Sequence, residues 1–263
     1  MFVTATTSQS VAAMLHPKQQ LKFLEEMAGF VGPDIFAESL AYSMPHGNTG
    51  WTAFRMGPLG HVTFHHWDSA HPSLLQLDLY GAGTIDDQHA CQTIRMFWLP
   101  LATRAVLVSR REPSLPFESQ SLVSDDVNRQ VIQEGLGPGD HLHLLIDQIS
   151  HSGDRSINAQ ALNAGLLELV RHLKMKCLTP LMSRFKITEL GFEYDAVVGI
   201  TTSHVALRIR KIQSVLSMSL DVFSCRNYRP DVVHRWLNAL LPAPEKRRSI
   251  LFNRYPGGEF IEN

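Results

Sequence analysis

Apolar residues along the second half of the chain recur with two different periods, and each change of period marks an element. In residues 158–173 (NAQALNAGLLELVRHL), Leu162, Leu166, Leu169, Val170 and Leu173 fall three and four apart, the spacing of one helix face. Residues 230–241 (PDVVHRWLNALL) predict a second helix, with Pro230 in the first turn where its missing N–H is not needed. Residues 141–149 (HLHLLIDQI) form an apolar stretch of strand length. Strand-like segments follow around 178–187, 196–200, 204–209 and 217–223, and 248–253 closes the series. The first half predicts the same order: a helix over 18–30, strands near 35–43, 51–54, 61–64 and 75–80, a helix over 86–98 and a strand over 105–109. Residues 112–139, rich in Pro, Ser and Gly with weaker periodicity, suit a connection.

The two halves also share wording. Residues 61–83 read HVTFHHWDSAHPSLLQLDLYGAG and residues 204–226 read HVALRIRKIQSVLSMSLDVFSCR. Both open on His-Val and both close on a Leu-Asp-apolar-aromatic run, Leu77-Asp78-Leu79-Tyr80 and Leu220-Asp221-Val222-Phe223. The step from His61 to Ala82 is 21 residues, as is the step from His204 to Cys225. An internal repeat of this kind decides the architecture before any other signal. Consecutive strands with short turns and two helices per copy predict an α+β fold: two tandem repeats, each an antiparallel sheet with helices on one face, packed as a four-layer αββα sandwich. The boundaries read as 1–111, a connecting segment 112–139, and 140–263. The copies differ where chemistry would sit. Gly60, His65 and Ala82 of the first stand where the second has Ser203, Arg208 and Cys225.

A chain of 263 residues with 44% hydrophobic and 19% charged residues can bury a sizeable core. Its net charge of −1 argues against nucleic acid or an anionic membrane as the main partner. No apolar run approaches the ~18 residues of a membrane span, and the N-terminal stretch lacks a basic region followed by an apolar one. Its three cysteines, Cys91, Cys177 and Cys225, fit neither a disulfide framework nor zinc spacing. A cytoplasmic protein is the expectation. His61, His65, His66 and His71 crowd one region, but alternation along a strand puts His61 and His65 on one face and His66 on the other. Three ligands do not converge there, so packed histidines rather than a metal site are expected. The Gly47-Asn48-Thr49-Gly50 run reads first as a turn between strands.

Taken together, the order of these motifs resembles the S-adenosylmethionine decarboxylases, the pyruvoyl-dependent enzymes of spermidine synthesis. Ser203-His204 and Asp221-Val222-Phe223-Ser224-Cys225 are similar to the family's cleavage-site and cysteine motifs. His61, His65, Trp67 and the Gly47–Gly50 turn are similar to its histidine, tryptophan and turn elements. His143-Leu144-Leu145-Ile146-Asp147 looks like its opening strand. The resemblance implies that Ser203 attacks the preceding carbonyl and leaves a covalent pyruvoyl cofactor. That group would form a Schiff base with the substrate amine and act as electron sink when carbon dioxide leaves. It further implies Cys225 as proton donor, Thr49 and His65 of the facing copy as helpers in processing, and Trp67 and Asp147 on the substrate wall. A duplicated chain would be an internal pseudo-dimer, with homodimerisation open, and complementary losses would keep one complete site. The expected partner is a small-molecule substrate.

Two departures keep other functions open. Thr202 precedes Ser203 where the family has Glu, which leaves room for an unprocessed pseudoenzyme regulating a partner decarboxylase. The family's adenine-stacking aromatic falls at Ser43, with Tyr42 turned to the other face, which leaves ornithine or arginine as alternative substrates.

Overall fold

The computed structural model describes residues 1–8, 17–30, 32, 34–43, 50–68, 70–81, 85–109, 118–124, 141–151, 157–201, 203–254 and 260–262. Thr49, Ala82 and Thr202 lie outside the described residues. The chain divides into two units, the first ending its continuous run at Ser109 and also taking the segment Glu118–Ser124 and Arg254, the second built on residues up to Asn253.

The first repeat runs β1 (Phe2–Thr7), α1 (Pro17–Glu26) with a 3-10 turn (Met27–Phe30), β2 (Ala37–Ser43), β3 (Gly50–Gly57), β4 (Gly60–Trp67), β5 (Ser73–Gly81), α2 (Asp87–Trp98), β6 (Ala102–Ser109) and β7 (Glu118–Ser124). The second runs β8 (Leu142–His151), α3 (Ala159–His172), β9 (Met182–Thr188), β10 (Gly191–Ile200), β11 (Ser203–Ile212), β12 (Val215–Ser224), α4 (Pro230–Leu240), β13 (Pro244–Asn253) and β14 (Phe260–Glu262). The sheet orders are β2-β3-β4-β5-β1-β6-β7 and β9-β10-β11-β12-β8-β13-β14, so the two repeats have the same topology, element for element. Every pairing is antiparallel.

Register makes the repeat exact. His61 lies opposite Tyr80 and Thr63 opposite Asp78 in the first sheet. His204 lies opposite Phe223 and Ala206 opposite Asp221 in the second. His61 therefore corresponds to His204, Asp78 to Asp221 and His65 to Arg208, as the aligned wording of the sequence requires.

The helices cover one face of each sheet. In the second repeat, Leu162, Leu166, Leu169 and Val170 of α3 and Val233, Trp236 and Leu237 of α4 share a core with Ile146, Val198, Val205, Leu207, Leu220 and Val222. The sheet members are alternate residues of their strands, as one-sided packing demands. The Trp236 indole donates to the Gly165 carbonyl at 2.8 Å and the Tyr194 hydroxyl to Asn163 Oδ1 at 2.7 Å, which fixes α4 and β10 on α3. In the first repeat the corresponding core joins Phe23, Leu24, Ile94 and Trp98 to Val3, Ala53, Val62, Phe64 and Leu77. The helix starts agree with their sequences: Asn158 accepts from the Ala161 amide and Asp86 from the His89 amide.

Several strands differ from the sequence reading, among them β14, which lies beyond the last predicted strand, and β13, which begins at Pro244. β1 precedes the first predicted element, and β7 lies within the segment read as a connection, where it pairs with β6 at the sheet edge. β10 begins at Gly191 rather than near 196, because Phe192 and Tyr194 continue its apolar alternation. No helix among the described residues is long and apolar enough to cross a membrane.

The α3 core gives a direct stability test. Leu166 is fully buried while Ile187 is 79% exposed. In a denaturant titration Leu166→Ala should cost ~2–5 kcal/mol, and Ile187→Thr no more than ~0.5 kcal/mol.

Candidate active site in the second repeat

Strands β11 and β12 are joined by a tight turn, so their far ends meet. Ser203 opens β11, and Cys225 follows the last residue of β12. The Cys225 amide donates to Ser203 Oγ at 2.9 Å, and the Cys225 thiol donates to the Thr201 carbonyl at 3.4 Å. Ser203 and Cys225 are 1% and 2% exposed. The two residues singled out by motif are thus brought together, by register and turn length rather than by any long-range packing. An amide that donates to a serine oxygen stabilises negative charge there and leaves the hydroxyl proton free to depart, the requirement for a nucleophile.

The helix-free face of the same strands carries buried polar groups. Asp221 Oδ1 lies 2.5 Å from His143 Nε2 and 3.2 Å from His204 Nε2. All three side chains are almost wholly buried. Burial pushes the Asp221 carboxyl upward, but the charges of His143 and then His204 outweigh it and hold it well below the ordinary carboxylate range. Aromatic rings enclose the group: Phe252 stacks on His143 at 4.8 Å, and Phe223 lies 5.4 Å from His143 and 6.0 Å from His204.

Farther along that face runs a row that the sequence reading missed. Successive cross-strand partners Arg248, Asp147, Ser219, Arg208, Asp195 and Arg184 span six strands. Asp147 binds Arg248 at 2.8 Å and accepts from Ser219 at 2.8 Å. Asp195, fully buried, is met by Arg208 at 3.0 Å, Arg184 at 3.1 Å and Arg210 at 2.9 Å. The Asp147 carboxylate, read from sequence as part of a substrate wall, is therefore committed to Arg248 and Ser219. The signal lay in opposite charges at alternate positions of neighbouring strands, but it becomes legible only once the register is known.

His65 and Trp67 lie in the first repeat, on the helix-free face of β4, and both are fully buried. Their rings are 5.7 Å apart, and Thr52 Oγ1 lies 3.1 Å from His65 Nδ1. His61 stacks on Tyr80 at 5.3 Å. Asp78, the counterpart of Asp221, pairs with the buried Arg254 guanidinium and accepts from Thr63 at 3.2 Å. Where the second repeat has two imidazoles, the first has a permanent cation. Gly60 holds the place of Ser203, and a Cβ there would collide with the Tyr80 carbonyl oxygen. β4 and β5 have closed over the position a serine would need.

No family model and no curated protein matches the chain. Among solved structures it is similar to the di-domain ARO/CYC StfQ from the steffimycin biosynthetic pathway, with 7% identity and a TM-score of 0.20 over 90% of this chain and 91% of that one. A likeness so slight carries no argument about fold or activity.

Two outcomes follow from this geometry. Gly60→Ser should lower stability by about 3 kcal/mol, since the new side chain displaces strand backbone, not a flexible tip. Asp221→Asn should cost on the order of 3 kcal/mol by breaking a buried ion pair. Because the folded-state pKa of Asp221 is depressed, its contribution is present above the unfolded value of ~3.9 and lost as pH falls through the folded one. Unfolding free energies of wild type and variant should accordingly converge only below about pH 4.

Proposed function

We propose that the chain is a pyruvoyl-dependent decarboxylase, self-processed at Ser203 and acting on S-adenosylmethionine in polyamine synthesis. The observation that carries the reading is the meeting of Ser203 Oγ with the Cys225 amide, at the two positions where the motif resemblance puts precursor and acid. Both residues are buried, so the reacting atoms would be kept from bulk water.

Processing starts with addition of Ser203 Oγ to the Thr202 carbonyl carbon. The peptide C–N bond breaks as the C–O ester bond forms, and the Ser203 nitrogen takes up a proton. The Cys225 amide, already on Oγ, steadies the charge that builds there as the hydroxyl proton leaves. Loss of the Ser203 Cα proton then expels the Thr202 carboxylate, and water releases ammonia to leave a ketone at the new chain end. That ketone supplies an electron sink when the substrate loses carbon dioxide. The fit rests on this chain's own residues: a buried serine at a strand start, with a thiol held beside it at the Thr201 carbonyl. In this reading Cys225 returns a proton to the substrate carbon, while His65 and Thr49 assist processing, as the resemblance implies.

Intact-mass measurement of the purified protein under denaturing conditions tests the proposal. Cleavage before Ser203 yields a 202-residue chain and a 61-residue chain with a blocked amino end. Ser203→Ala should remain whole and folded, because one hydroxyl and little volume are removed. Wild-type protein that stays at full length after prolonged incubation would overturn the reading in favour of an unprocessed regulatory protein. Carbon dioxide release from S-adenosylmethionine, compared with ornithine and arginine, decides the substrate.

A further inference from the structure

On the helix-covered face of the first sheet, cross-strand partners Tyr42, Trp51 and His66 form a row through β2, β3 and β4. His66 shares this face with Val62 and Phe64 of the core. The Tyr42 and Trp51 rings stand 4.8 Å apart at 57°, and the Tyr42 hydroxyl donates to Asp68 Oδ2 at 2.7 Å. Tyr42 is 38% exposed, and Trp51 and Asp68 are half-buried, so the row opens outward.

His66 closes the inner end. It is 1% exposed, and neither of its ring nitrogens has a hydrogen-bond partner among the described residues. Burial moves its pKa down to about 4, against a smaller upward pull from Asp68. The ring is therefore neutral at neutral pH, with one N–H and one lone pair, both unmet. Buried polar atoms without partners are uncommon because each forfeits the hydrogen bonds it made in water. A bound hydrogen-bond donor would meet the lone pair.

The surroundings specify the sign of that group. Tyr42 and Trp51 present negative ring faces, Asp68 a carboxylate, and His66 a lone pair. No Lys or Arg stands in the row. An ammonium ion meets all four features: it is attracted by aromatic faces, pairs with a carboxylate and donates to a neutral imidazole nitrogen. Gly50 allows the close approach, since a Cβ there would collide with the His66 carbonyl oxygen and part β3 from β4 beside the row.

We propose that Tyr42, Trp51, His66 and Asp68 form a binding site for a small primary ammonium ion on the first repeat. The site is independent of Ser203 and of its processing.

The test titrates n-butylammonium chloride into the full-length protein, followed by calorimetry and by the Trp51 indole and His66 ring nitrogen resonances. Saturable single-site binding is expected, with both sets of signals shifting together. Asp68→Asn should weaken it about tenfold or more through loss of the charge-assisted pair. Trp51→Leu should weaken it by loss of the ring face, and n-butanol, neutral and of similar shape, should not compete. Affinity should stay level between about pH 6 and 8, where His66 remains neutral. Absence of saturable shifts up to about 50 mM ligand would overturn the proposal. So would equal affinity in Asp68→Asn, which decides the matter if Trp51→Leu does not fold. Ser203→Ala should bind as wild type does, so failure here and failure of the decarboxylase reading remain separable.

Discussion

A carboxylate on an inner strand of a sheet must find positive charge or donors within the protein, because water is not there to solvate it. Asp78 and Asp221 stand at the same position of the two repeats and meet this demand differently. Arg254, with Thr63, answers Asp78. His143 and His204 answer Asp221. Much else follows from the second solution. It ties β8, β11 and β12 together beside the strand ends that carry Ser203 and Cys225, and it surrounds two imidazoles with Phe223 and Phe252.

The repeat also sets where Ser203 and Cys225 lie. Duplication gives both copies the same strand order and register, but each copy has since solved its packing locally. β4 and β5 approach so closely at Gly60 that no side chain fits. The equivalent place on β11 accommodates Ser203 and directs its oxygen to an amide. The difference in side chains thus goes with a close strand approach at Gly60, and the strand order is the same in both halves.

Much of this was legible in the sequence. The helices at 86–98, 158–173 and 230–241 stood out because their apolar residues keep a helical period and their first turns carry Asp86, Asn158 or Pro230. The meeting of Ser203 and Cys225 was legible too, since a tight turn midway between them brings their strand ends together. β1 escaped notice because FVTATT is short, and its alternation of Val3 and Ala5 with Thr4 and Thr6 spans too few positions to stand out. β7 (ESQSLVS) is polar and reads as linker. The carboxylate of Asp147 looked available for a ligand because its claimant, Arg248, is about a hundred residues away in sequence and adjacent only through register. His66 gave no sign at all. Its isolation depends on what surrounds it, and a histidine on an apolar face normally finds a partner.

The six-residue row from Arg248 to Arg184 has a consequence for how the second sheet finds its pairing. Side chains on a strand alternate between faces, so a slip of one residue in any hairpin would carry a guanidinium or carboxylate of that row in among Leu162, Leu166 and Leu169, and send leucines out in exchange. A slip of two would keep the faces but set charge against apolar side chains across the strands, as Asp195 against Ala206. A slip of one is therefore penalised among the leucines, and a slip of two towards Ala206 along the charges. The row acts as a proofreading mark for strand assembly, whatever else that face of the protein does.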